Sequence, residues 1–72
     1  MKIDVYLKNR TKFIHDSRRY NYIDDFAKAL QDVRNHGKDD NGELQMVGDF
    51  VWIGRKFVRY TDIVMFQESE DN

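Results

Sequence analysis

The chain has 72 residues with no Cys and no Pro, 40% hydrophobic and 35% charged side chains, and a formal net charge of −1. That length holds one domain near the lower limit at which a core alone offsets chain entropy. The absence of Cys excludes disulfide staples, thiolate nucleophiles and Cys-ligated zinc. A small net charge argues against general polyanion binding, and the longest apolar runs, 50–53 and 63–66, fall far short of a membrane span or signal-peptide core.

The opening MKIDVYLKN alternates, with Ile3, Val5 and Leu7 on one face and Asp4, Tyr6 and Lys8 on the other, the pattern of a half-buried strand. No leader is therefore expected, and with no export signal and no Cys the expected location is the cytoplasm. NRT at 9–11 reads as a short turn and KFIHD as a return strand. SRRYN then breaks the pattern. Asn21 is placed to cap a helix over about residues 22–36, with Asp24 and Asp25 in its first turn. Ile23, Phe26, Ala27, Leu30 and Val33 form its apolar stripe, and Gly37 is its stop.

GKDDNGE, 37–43, is a loop by composition. LQMVGDFVWI resumes strand character, and Gly48-Asp49 is expected to bend or bulge it. Gly54-Arg55 suits a type II′ hairpin turn, which pairs Ile53 with Lys56, Trp52 with Phe57, Val51 with Val58 and Phe50 with Arg59. Thr61-Asp62 redirects the chain into a last strand, and residues 66–72, ending in QESEDN, are expected to fray. The resulting fold is α+β in the order ββαβββ: one domain over 1–72, with the helix on one face of a single antiparallel sheet of four or five strands. The other face is then solvated or engaged, with Tyr6 and Trp52 and Phe57, or their neighbours, on it.

Charge is segregated along the chain. Residues 1–19 carry six basic against two acidic side chains, 20–49 three against seven, 50–59 three against none, and 60–72 none against four. Arg10, Lys12, Arg18 and Arg19, with Lys8, interleave with Phe13, Tyr20 and Tyr22, as Arg55, Lys56 and Arg59 do with Trp52 and Tyr60. These cations are candidates for a basic patch, with Tyr6, Tyr20, Trp52 and Tyr60 as candidate surface rings. Such a patch can neutralise phosphates and stack bases, form a protein interface, or simply block edge-to-edge strand pairing. Asp24, Asp25, Asp39, Asp40 and Glu43 are a candidate acidic patch facing a basic partner, although caps and turns also account for them.

Catalytic and metal signals are weak. His15-Asp16-Ser17 holds triad residue types, but strand neighbours point to opposite faces. A His15 general base with Arg18 or Arg19 on a phosphate describes a small ribonuclease, without a second proton-transfer group. His15 and His36 are the only imidazoles, and DDNGE fails the EF-hand spacing, so no metal or cofactor is expected.

At VYLKNRTKFIHD, YIDDFAKALQDV and FVWIGRKFVRYTDIVMFQES the chain resembles, in layout, short orphan proteins encoded by phages, prophages and plasmids of bacteria. The resemblance implies a non-catalytic module that binds a host or viral macromolecule, as anti-CRISPR inhibitors and small regulators do. The leading expectation is a protein partner, or a homodimer, contacted through the uncovered sheet face. A small nucleic-acid-binding protein is the alternative and a ribonuclease the weaker one.

Overall fold

The computed structural model describes residues 1–40 and 42–70. Six strands and one helix follow in the order β1 (Lys2–Leu7), β2 (Lys12–Asp16), α1 (Ile23–His36), β3 (Leu44–Val47), β4 (Phe50–Ile53), β5 (Lys56–Arg59), a 3-10 turn (Tyr60–Asp62) and β6 (Ile63–Glu68). The class is α+β. The sheet is not single, however: the strands form two antiparallel three-stranded sheets, β2-β1-β6 and β3-β4-β5.

Two local features split the expected sheet. Gly48 takes φ 61° and Asp49 follows, so the expected bend is a two-residue turn that folds β4 back onto β3 from the Val47–Phe50 pair. After β5, the 3-10 turn carries the chain out of its sheet and docks on the first hairpin, where the Lys8 N–H donates to Asp62 O at 2.9 Å. β6 therefore pairs with β1, not with β5. The Gly54-Arg55 hairpin forms in the expected register.

The acidic tail does not begin to fray at residue 66. Phe66, Gln67 and Glu68 pair with Val5, Asp4 and Ile3, and the Ser69 N–H donates to Lys2 O at 2.9 Å. Asp71 and Asn72 lie outside the described residues, as does Asn41 in the expected loop.

The N-cap lies one residue later than expected, and the helix begins at Ile23. Tyr22 is the N-cap, and the Asp25 carboxylate at N3 accepts from the Asn21 and Tyr22 N–H groups at 3.2 and 3.1 Å. Gly37 closes it in the left-handed region, φ 87°, with its N–H on Val33 O. Phe26, Ala29, Leu30 and Val33 bury one stripe against Ile3 and Val5 of the first sheet and Leu44, Val51, Ile53 and Val58 of the second. Each large side chain so buried contributes roughly 1.5–3 kcal/mol. Both inner faces share this core, and among the described residues no helix or further sheet lies on either outer face.

Candidate interaction surface

On the outer face of β3-β4-β5, strand alternation decides which rings reach water. Val51, Ile53 and Val58 point inward, so Phe50, Trp52, Phe57 and Arg59 point outward. Trp52 pairs with Phe57 across the hairpin, and Phe50 lies between Val47 and Arg59. Val47, Phe50, Trp52 and Phe57 are 53, 40, 40 and 60% exposed, and together they make one apolar surface. The Arg59 guanidinium stands 5.5 Å from the Phe50 ring centroid and edges that surface with positive charge.

Beside it lies an open cleft of about 640 Å³ between β2 and β5, lined by Thr11, Lys12, Phe13, Lys56, Phe57 and Arg59, with Leu7, Phe50, Val58 and Asp62. Lys56 Nζ sits 4.9 Å from the Phe13 ring centroid and connects the two edge strands. Lys12, Lys56 and Arg59 line this cleft against one carboxylate, Asp62. The expected basic patch is thus divided. Arg18 and Arg19 lie at the far end of β2, around a depression with His15, Glu43, Trp52 and Gly54. Arg10 is exposed at the tip of the first hairpin with φ 68°, and Arg55 is exposed in the Gly54-Arg55 turn.

Tyr20 is not a surface ring. It is 3% exposed, and its hydroxyl donates to Asp39 Oδ2 at 2.5 Å. Burial, followed by the Asp39 hydrogen bond and charge, pushes its phenol well above the ordinary range. Tyr60 is half-buried, its hydroxyl donating to Leu30 O at 3.1 Å. Tyr6 and Trp52, expected together, lie on the outer faces of different sheets.

The acidic patch is likewise dispersed. Asp39 is 4% exposed, its Oδ1 accepting from the Leu44 N–H at 2.9 Å. Glu43 accepts from His15 Nε2 at 3.1 Å and from Ser17 Oγ at 3.0 Å. Asp25 caps the helix, and Asp24 and Asp40 are exposed. Asp25, Asp39 and Asp40 do border one small pocket, but Arg19 and Lys28 border it with them.

His15, Ser17 and Glu43 contain the residue types of a catalytic constellation in a different arrangement. One carboxylate holds both the imidazole and the hydroxyl, and Ser17 Oγ also accepts from the Arg19 and Tyr20 N–H groups at 3.2 and 3.1 Å. His15 is 6% and Ser17 1% exposed. The trio latches the loop before β3 onto the end of β2. Of the two alternatives for the uncovered face, inward Val51, Ile53 and Val58 select Trp52 and Phe57 rather than their neighbours, and Phe50 and Val47 join them without having been expected there.

Among the described residues, no helix is long and apolar enough to cross a membrane. Comparison with protein-family models, with curated proteins and with solved structures gives no match.

Proposed function

We propose that the chain is a non-catalytic binding module that engages a protein partner through the outer face of β3-β4-β5 and acts as its inhibitor or regulator. The observation that supports this reading is the contiguous exposure of Val47, Phe50, Trp52 and Phe57 beside Arg59. Leaving such side chains in water forgoes roughly 1.5–3 kcal/mol for each one fully buried. Aromatic residues and Arg are the types enriched where proteins bury surface against each other. The resemblance to mobile-element proteins gives the setting, a bacterial cytoplasm with a host or viral protein as target.

The test is affinity capture from bacterial lysate with wild-type protein and with a Trp52→Ser/Phe57→Ser double variant, each with and without nuclease. A partner captured by the wild type after nuclease treatment and lost from a folded double variant is the expected result. Capture that disappears with nuclease, or persists in the variant, removes this reading.

A second reading is a single-strand nucleic-acid platform, favoured by Lys12, Lys56 and Arg59 beside Phe13, Phe50 and Phe57. It requires oligonucleotide binding at low salt that weakens steeply as salt rises.

A further inference from the structure

The cleft between β2 and β5 has strand edges for walls. β2 is at the edge of one sheet and β5 at the edge of the other. His15 of β2 lies against the Gly54 turn, where a Cβ on Gly54 would stand 3.4 Å from His15 Nδ1, while Phe13 lies under Lys56. Numbers rise along β2 as they fall along β5, so the two edges run antiparallel. They close together at His15 and Gly54, and the open cleft takes in Thr11 and Arg59.

The ladder registers determine which main-chain groups these edges present. Met1 and Ser17 exchange both hydrogen bonds, at 2.6 and 2.8 Å, and the Leu7 N–H donates to Thr11 O. The alternation of an antiparallel pair then turns the N–H and C=O groups of Lys12 and Ile14 away from β1. In the β4-β5 hairpin the turn-closing pair is Ile53 and Lys56, and the Tyr60 N–H donates to Asp49 O at 3.0 Å, so Phe57 and Arg59 turn theirs away from β4. Phe57 and Arg59 also line the cleft, as does Lys12. The result is a groove with alternating donors and acceptors on its edges, phenyl rings beside it, and Lys12, Lys56 and Arg59 against Asp62.

We propose that this cleft is a strand-addition site, in which an extended acidic segment of a partner protein pairs with the open edge of β5. The proposal rests on the protein-binding reading above and specifies the partner's chemistry. Alternating main-chain N–H and C=O groups complement another peptide backbone, whereas a phosphate chain satisfies only the donors. Excess positive charge selects acidic side chains, and Phe50 and Phe57 receive the apolar residues between them.

The test uses the whole chain and a fluorescein-labelled peptide of about eight residues in which Glu alternates with Val, a length that matches a typical strand. Its controls are a Lys/Val peptide, a Glu/Val peptide with alternate backbone nitrogens methylated, and an oligothymidylate. The expected result is binding of the Glu/Val peptide that weakens about tenfold or more with the Lys/Val sequence, with backbone methylation, and with Lys56→Glu/Arg59→Glu. Hydrogen exchange at the Phe57 and Arg59 amides should slow on binding.

Failure of the Glu/Val peptide to bind, binding indifferent to methylation, or unprotected Phe57 and Arg59 amides overturns strand addition. Tighter binding of oligothymidylate at the same cleft overturns it in favour of nucleic acid. If strand addition fails while nuclease-resistant, Trp52-dependent capture persists, the protein-binding reading stands without it.

Discussion

Lys56 stands over the Phe13 ring, its ammonium 4.9 Å from the centroid, and joins the edge of β5 to the edge of β2. Among the described residues no strand ladder links the two sheets, and this pair is a direct side-chain tie across the open side between them. A cation over an aromatic face at a partly exposed site contributes about 0.5–1 kcal/mol. A double-mutant cycle of Lys56→Gln and Phe13→Leu, read by urea unfolding, is expected to give a coupling of about that size. A coupling indistinguishable from zero would show that the contact carries no energy.

The His15–Glu43–Ser17 latch makes a stronger prediction because both donors, His15 and Ser17, are buried. Glu43→Ala leaves the His15 Nε2 and Ser17 Oγ donors without their carboxylate acceptor. An unsatisfied buried donor costs about 1–3 kcal/mol, so the variant is expected to lose stability in that range. Glu43→Gln, which retains one acceptor oxygen, should lose less. Equal stability of wild type and Glu43→Ala in chemical denaturation would refute the structural role assigned to the trio.

Tyr20 links stability to alkaline pH. Its phenol is pushed up in the folded chain by burial and by Asp39, whereas in the unfolded chain it ionises near its ordinary value of 10.0. Above that pH the unfolded state releases a proton that the folded state retains, so stability falls as pH rises; below it this contribution is fully present. Tyr20→Phe is expected to cost about 1–3 kcal/mol at neutral pH, since Asp39 Oδ2 loses its donor, and to flatten the decline above about pH 10. Parallel alkaline stability curves for variant and wild type would contradict this assignment.

The legible parts of the fold are those whose information is local. Ile23, Phe26, Leu30 and Val33 mark a helix face within a few turns, and Gly54 with the alternation around it sets a hairpin register over ten residues, 50–59. The partner of β6 is not local. Val5 pairs with Phe66 from the opposite end of the chain, and a short apolar run carries no mark of which edge it joins. Gly48 was ambiguous because a left-handed glycine serves a bulge as readily as a two-residue turn. The binding surface divides in the same way. Outward Trp52 and Phe57 follow from alternation, whereas the grouping of Lys12 with Lys56 and Arg59 depends on two sheets approaching in space. Tyr20, Asp39 and Glu43 look like surface residues until their partners, distant in sequence, are known.

Asp4 gives the last prediction. It lies in the middle of β1 on the outward side of the alternation, between Ile14 of β2 and Gln67 of β6, yet it is 5% exposed. Its Oδ1 is buried with no hydrogen-bond partner among the described residues. A buried acceptor without a donor loses its hydration and gains nothing in return, and removing it is often neutral or stabilising. Val suits a strand centre with an aliphatic neighbour such as Ile14. Asp4→Val is therefore expected to raise the unfolding free energy by about 1 kcal/mol or more, measured by urea denaturation. Asp4→Asn, which keeps the shape and an acceptor oxygen, should change it less. A loss of stability in Asp4→Val would mean that the carboxylate makes a contact that outweighs the cost of burying it.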